Sequence, residues 1–277
     1  MHTATGDTSA IQADYTTIRV ENHGPVRAII LDRPDHRNSL DLVIRTELGS
    51  ALRNADADRT VRAILLAGAG KVFCAGGDIK SLSPDAEASR SRLSLMGEVT
   101  RSILESETPV LAAVQGGAWG AGLALVCACD VVVAAESARF VASFGRFGLV
   151  GDSGIYHTLR QRVTPARARE ILLLNSSLSA RQALQDGIAT CVVPDDKVWD
   201  ESLALARQLS SVAPGANAWT KRLIAQADQD FESVISAEID AQVELLAAPA
   251  FDEGQRAFVE KREARWWDDD EPESGGG

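Results

Sequence analysis

The sequence predicts an α/β fold with a largely parallel sheet, followed by a helix-rich C-terminal region. Three observations carry that expectation. Short, continuous apolar runs recur at Val61–Ala67, Pro109–Val114 and Val131–Ala135, the pattern of strands buried on both faces. Helical segments separate these runs, so the order strand, helix, strand, helix repeats as in βαβ units. After Gly151 the strand signals give way to one helical segment after another.

In chain order, Thr16–Val20 and Val26–Asp32 read as strands joined through a Gly24-Pro25 turn. Ser39 is placed to cap a helix from Leu40 to about Asn54, with Leu40, Val43 and Leu48 among its apolar positions. The buried strand Val61–Ala67 follows, then a polar helix over about Ala86–Glu107. The strand Pro109–Val114 leads through a glycine-rich turn into an apolar helix at about Gly120–Cys129, and Val131–Ala135 is a further strand. Helices are then expected at Asp152–Val163, Pro165–Asn175, Ala180–Asp186 and Asp196–Ser211, and beyond Pro214 at Ala216–Asp228, Phe231–Leu246 and Asp252–Trp267. The organisation implied is a disordered segment over 1–14, an α/β core over 15–213, a helical C-terminal region over 214–267 and an acidic flexible tail over 268–277. That region reads as a subdomain or as an arm reaching a neighbouring subunit.

Composition excludes several function classes. The 277 residues are 45% hydrophobic and 24% charged, an ordinary globular balance. Net charge is −11, from 28 Lys and Arg against 39 Asp and Glu, and Asp268–Glu273 holds five of those acids. A chain without basic excess is a poor tracker of nucleic-acid phosphates, though a small anion can still be held by local cations and backbone amides. No apolar run reaches the roughly 18 residues of a membrane span. Met1–Asp14 has no Lys or Arg and no apolar stretch, so it does not read as an export signal, and a cytoplasmic protein is expected. Cys74, Cys127, Cys129 and Cys191 are accordingly expected as buried, reduced thiols. His2, His23, His36 and His157 are scattered without metal-ligand spacing, and no metal is expected.

Most short motifs fail on context. Gly151-Asp152-Ser153-Gly154 spells the tetrapeptide around a chymotrypsin-like nucleophile, but the all-β setting and the partner His and Asp are missing. Gly70-Lys71 suggests a P-loop, yet Leu65 stands at the required glycine and Val72 at the metal-binding Ser/Thr. Two glycine-rich segments remain: Phe73–Lys80 (FCAGGDIK) and Gly116–Gly122 (GGAWGAG), each directly after a buried strand. Small residues let backbone amides approach a ligand, and first-turn amides of a helix are free to donate. Facing one another, two such turns would make an oxyanion hole; apart, each is an ordinary tight turn of an α/β fold.

The segments LDRPDHRNSLD (Leu31–Asp41), VFCAGGDIKSL (Val72–Leu82) and PVLAAVQGGAWGAG (Pro109–Gly122) resemble the enoyl-CoA hydratase/isomerase (crotonase) family. Pro165–Val193 and Phe258–Arg262 (FVEKR) are similar to its later landmarks, so the resemblance spans about Thr16 to Trp267. It implies a crotonase-like spiral of ββα units with a helical C-terminal region, assembled as a homotrimer or a dimer of trimers. It further implies an acyl-CoA thioester as substrate, an enolate-type oxyanion, and no cofactor beyond the CoA moiety. By position, the oxyanion amides would be Gly77 and Ala121, the latter a departure from the family's usual glycine. The CoA nucleotide would lie near Arg37, Ala75, Asp78, Ile79 and Lys80, with Lys261 reaching a phosphate from the C-terminal helix. Read alone, Arg37, Lys80 and Lys261 are solvated surface cations.

The two glutamates of the family's hydratases are matched by Ala124 and Phe144, which cannot move a proton. The remaining carboxylate, Asp152, aligns with the aspartate of a PDxGG-type turn in family isomerases and with the nucleophile of the aryl-CoA dehalogenase branch. An isomerase needs one base that takes a proton from one carbon and returns it to another. The resemblance therefore implies an enoyl-CoA isomerase with Asp152 as the acid/base. The alternatives are a hydratase with displaced carboxylates, a hydrolase or dehalogenase using Asp152 as nucleophile, and a non-catalytic CoA-binding member. On spacing alone Asp152 also suits a helix N-cap. Gly151 and Ile155 depart from the turn's usual Pro and second Gly. Trp119, Phe144, Phe147 and Ser153 are candidate pocket residues; Arg146 reads as a surface cation and His157 as a packing residue.

Overall fold

The computed structural model describes residues 8–10 and 15–266. Most of the segment expected to be disordered over 1–14, and all of the tail expected over 268–277, lie outside the described residues. Within the first of these, Thr8–Ala10 (β1) pairs antiparallel with β2 (Ile18–His23), so those three residues are a strand rather than a disordered segment.

β2 and β3 (Val26–Leu31) form the expected hairpin around Gly24-Pro25, in register from Ile18↔Leu31 to His23↔Val26. From β3 the chain winds through α1 (Leu42–Ala57), β4 (Ala63–Gly68), α2 (Ala86–Leu104), β5 (Val110–Val114), β6 (Gly117–Trp119), α3 (Ala121–Ala128) and β7 (Val131–Ala135). β3, β4 and β5 are buried at every position, which is why their sequences are unbroken runs of Val, Ile, Leu and Ala. The main sheet has the order β1-β2-β3-β4-β5-β7-β10, parallel from β3 onward, with β10 at Cys191–Val193. A second sheet joins β6, β8 (Arg139–Val141) and β9 (Ser177–Ser179). Its strands are three residues long, too short for any periodicity to announce them.

Helices α4 (Ile155–Arg162), α5 (Pro165–Leu173), α6 (Ala180–Asp186) and α7 (Val198–Ser210) follow, and α7 packs on β3, β4, β5 and β7. The last three are α8 (Pro214–Ala225), α9 (Phe231–Leu246) and α10 (Pro249–Glu260). Lys221 ties α8 to the α/β core, its ammonium 2.6 Å from the Asp130 carboxylate that also accepts from the Val110 amide at 2.7 Å. Among the described residues no helix is long and apolar enough to cross a membrane.

Three boundaries differ from expectation for identifiable reasons. Asp41, not Ser39, caps α1, accepting from the Ile44 amide at 3.1 Å. Leu40 stays extended because its N–H donates to the Gly76 carbonyl (2.8 Å) and its own carbonyl accepts from Asp78 (3.3 Å). α4 begins at Ile155, since Ser153 and Gly154 both adopt left-handed conformations. α10 stops at Glu260, where Lys261 turns left-handed and Arg262 folds back to pair with Glu253 at 2.6 Å.

Asn38 anchors the segment that enters α1. It is fully buried and left-handed (φ 55°), a conformation Asn tolerates. Its side chain accepts from the Arg33 amide (2.9 Å) and donates to the carbonyls of Ala69 (2.9 Å) and Val72 (2.7 Å). Asn38→Ala strands one donor and two acceptors in the interior, and urea unfolding is expected to show a loss of about 3 kcal/mol. An unchanged transition midpoint would contradict this role.

Candidate active site

The two glycine segments meet. Cys74 and Ala118 form a parallel bridge, in which the Cys74 N–H donates to the Gly117 carbonyl (3.3 Å) and the Trp119 N–H to the Cys74 carbonyl (3.0 Å). Gly76 is left-handed (φ 91°), and a Cβ there would stand 2.5 Å from the Trp119 carbonyl oxygen and 3.5 Å from the Ala121 nitrogen. Only glycine permits that approach. Leu40 bonds to the Gly76 carbonyl and the Asp78 amide, so strand alternation turns the N–H of Gly77 away from Leu40. Ala121 is the first residue of α3, whose first-turn amides have no partner within the helix. Neither the Gly77 nor the Ala121 N–H donates to any group among the described residues.

Both residues line one cavity of about 390 Å³, and Asp152 lines it too. Asp152 is the sole carboxylate in that lining among the described residues, and none of these lining residues is a His, Cys or Tyr. Ile79, Leu82, Leu93, Phe144, Phe147 and Val150 supply apolar wall. A larger neighbouring cavity of about 640 Å³ shares Phe144, Leu149 and Val150 but has no carboxylate among its described lining residues.

Asp152 is held by a turn rather than by a helix. The N-cap of α4 is Gly154, which makes no side-chain cap, so the N-cap alternative for Asp152 does not hold. Its carboxylate instead accepts a hydrogen bond from the Ser153 hydroxyl at 2.9 Å. Ser153 is buried and left-handed (φ 55°), and its carbonyl accepts from the Thr100 hydroxyl of α2 at 3.0 Å. The departures at 151 and 155 are coupled: a Cβ at Gly151 would lie 2.6 Å from Ile155 Cγ2, so the larger residue at 155 requires the smaller at 151.

Of the sequence-derived candidates, Ala75, Gly77, Ile79, Ala121, Phe144, Phe147 and Asp152 converge on this cavity. Ser153 stands behind Asp152. Arg37 is exposed and left-handed, its carbonyl accepting from the Ala75 amide at 2.9 Å and its guanidinium 5.2 Å above the Trp119 ring. Trp119 therefore faces Arg37 and is not part of the cavity lining expected of it. Asp78 accepts from the Lys80 amide (3.1 Å) in a one-turn 3-10 helix, and Lys80 is exposed. Lys261 is exposed at the end of α10 and lies outside the lining. Arg146 is exposed, and His157 is an exposed side chain whose ring lies 3.1 Å from Gln161 Nε2 rather than a packed one.

Sequence reasoning missed Arg45 and Arg92, which line the same cavity. Arg45 is only 2% exposed on α1, bonding through Nε to the Leu40 carbonyl and through Nη1 to the Arg92 carbonyl, both at 3.1 Å. Desolvation lowers its pKa, with the Arg92 charge acting the same way and Asp152 opposing. The signal was present: Arg45, Leu48, Leu52 and Ala55 share one buried helical stripe, and a cation there is out of place.

Comparison with known proteins comes to the same family. The sequence profile described as enoyl-CoA hydratase/isomerase matches residues 21–269. A probable enoyl-CoA hydratase of Rhizobium meliloti (strain 1021) is 32% identical over 256 residues, covering 91% of this chain and 98% of its own. A 1,2-epoxyphenylacetyl-CoA isomerase of Escherichia coli (strain K12) is 33% identical over 243 residues, covering 86% and 93%. The crystal structure of an enoyl-CoA hydratase from Polaromonas sp. JS666 superposes with a TM-score of 0.86 at 32% identity, covering 90% of this chain and 98% of the other.

The Cys74 thiol supports the first loop from below, its sulfur 3.2 Å from the Asn38 carbonyl and 3.4 Å from the Gly76 amide. Burial pushes Cys74, Cys127 and Cys129 up to about 12, whereas Cys191 is only partly buried, unlike the expectation for all four. Since the thiolate is the nucleophile, iodoacetamide at about pH 8 is expected to label Cys191 first and leave the other three intact until urea is added. Rapid labelling of Cys74 in the folded protein, read by mass spectrometry, would contradict a closed loop.

Proposed function

The chain belongs to the enoyl-CoA hydratase/isomerase family, and from that premise we propose that it is an enoyl-CoA isomerase with Asp152 as its single acid/base. The observation that carries this reading is the make-up of the cavity: among the described residues, one carboxylate together with two uncommitted amides. The carboxylate takes a proton from C2 of a 3-enoyl-CoA thioester. The C–H electron pair moves into the C1–C2 bond and the thioester oxygen becomes an enolate, toward which Gly77 and Ala121 donate. Asp152, now a carboxylic acid, returns the proton at C4, leaving the double bond at C2. No water is consumed and no electron is lost, so the cycle calls for no cofactor beyond the CoA moiety. The Ser153 hydroxyl holds one carboxylate oxygen, Oδ1, and leaves Oδ2 to carry the proton.

Ala124 and Phe144, at the positions of the family's hydratase glutamates, favour this reading over hydration. The CoA nucleotide is expected along the exposed Arg37, Ile79 and Lys80 and the half-buried Asp78 and Ala75, where Arg37 and Lys80 make no ion pair among the described residues. A homotrimer or dimer of trimers fits the apolar residues that α9 and α10 leave exposed, including Phe231, Ile239, Val243, Phe258 and Val259, and it would let Lys261 serve a neighbouring subunit.

The test is NMR in deuterated water with 3-enoyl-CoA and 2-enoyl-CoA thioesters. Double-bond migration with deuterium entering C2 and C4 is expected, and Asp152→Asn should lower kcat by about a thousandfold, within the usual range for loss of a general base. Water addition that survives Asp152→Asn overturns the isomerase assignment. Solvent oxygen-18 entering the Asp152 carboxylate during turnover would assign it instead as a nucleophile.

A further inference from the structure

The cavity that holds Asp152 also holds two arginines, and no step above uses either. Arg45 is buried, with Nε and Nη1 committed to backbone carbonyls and Nη2 bonded to nothing among the described residues. That Nη2 would stand 3.5 Å from a Cβ placed on Gly77. The side chain of Arg92 makes one long hydrogen bond among the described residues, 3.4 Å to the Ser81 hydroxyl. No carboxylate comes within ion-pair distance of either guanidinium among the described residues, Asp152 included. A cation taken out of water without a counter-charge is costly, and a protein of net charge −11 has carboxylates to spare for pairing it. Asp152 and Asp41 act on Arg45 through space only, and no direct ion pair closes its side toward the cavity among the described residues.

Ser83 and Ser89 also line the cavity, Ser89 one helical turn before Arg92 on α2 and bonded to the Ser83 carbonyl at 2.8 Å, while Phe144, Phe147 and Val150 contribute apolar lining. A plain alkyl chain entering the cavity would strip water from both guanidinium groups and return no hydrogen bond. An anionic oxygen pair would meet several N–H donors in the geometry that arginine recognises best.

We propose that Arg45 and Arg92 are specificity-determining residues, and that the acyl group accepted here bears a carboxylate: the substrate class is the CoA monothioester of a dicarboxylic acid. This rests on the acyl-CoA reading above but not on the isomerase step. The carboxylate of the acyl group supplies the counter-ion that the chain withholds, and Asp152 stays free for proton transfer.

Binding of freshly prepared saturated thioesters, which have no double bond to shift, tests this without isomerisation. Isothermal titration compares matched pairs: butanoyl-CoA with succinyl-CoA, hexanoyl-CoA with adipoyl-CoA, and octanoyl-CoA with suberoyl-CoA. In at least one pair the carboxylated member is expected to bind at least about tenfold tighter to the wild-type protein. Arg92→Gln should cut that ratio by about tenfold. Its side chain supports little else, so the variant should fold. Arg45→Gln should abolish the preference, and Arg45→Lys, which keeps the charge, should restore part of it. Equal affinities within every pair, or an unchanged ratio in Arg92→Gln, overturn this inference alone. If CoA and all six thioesters fail to bind, the acyl-CoA reading falls and takes this inference with it.

Discussion

The site depends on a contact between two stretches of backbone. Gly76 stands so close to the Trp119 carbonyl that no side chain fits between them. That approach, fixed by the Cys74–Ala118 bridge on one side and the Leu40–Gly77 bridge on the other, sets the distance between two loops that follow different strands. The two backbone amides that face the cavity inherit their positions from it. Gly77 faces away from Leu40 because alternation allows nothing else, and Ala121 donates into the open because a helix cannot satisfy its own first turn. The alanine at 121 costs nothing in this respect, since the donor is the backbone.

Asp152 reaches the same cavity by a separate and more strained route. Two consecutive left-handed residues, Ser153 and Gly154, lift it clear of α4, and Ser153 adopts that conformation without being glycine. Such a conformation persists only where surrounding contacts over-determine it. Here the Thr100 hydroxyl on the Ser153 carbonyl and the packing of Ile155 into the space beside Gly151 do so. The paired change at 151 and 155 thus reads as a repacked turn floor that leaves the carboxylate in place.

The central strands were legible in the sequence because burial on both faces imposes one kind of residue for their whole length. The glycine segments were legible because close backbone approach imposes another. The strands at Gly117–Trp119, Arg139–Val141, Ser177–Ser179 and Cys191–Val193 were not, since three residues are fewer than two periods of a pleat. Ser39 and Asp41 are both good caps, and only the tertiary pairing of Leu40 with Gly77 decides between them. Trp119 looked like a pocket wall by its size, but the bridge at Ala118 fixes the direction of the chain there and turns the indole toward Arg37. Lys261 sits where the helical pattern continues in sequence, and the Arg262–Glu253 pair ends the helix before it.

Arg45 shows how one stripe position links fold to chemistry. An aliphatic residue there would complete the apolar face of α1 with Leu48 and Leu52 and would stabilise the helix–sheet packing without desolvating a charge. The arginine forgoes that and, among the described residues, hydrogen-bonds two backbone carbonyls. Its charge lies next to Arg92 and within the field of Asp152, so the cavity is locally cationic inside an acidic protein. Coulomb interactions among groups this poorly solvated are several times stronger than at the surface. A negative charge that develops on a bound thioester, or one that the acyl group brings with it, therefore meets two guanidinium groups in this cavity. The same residue that weakens the core places a buried cation in the cavity wall.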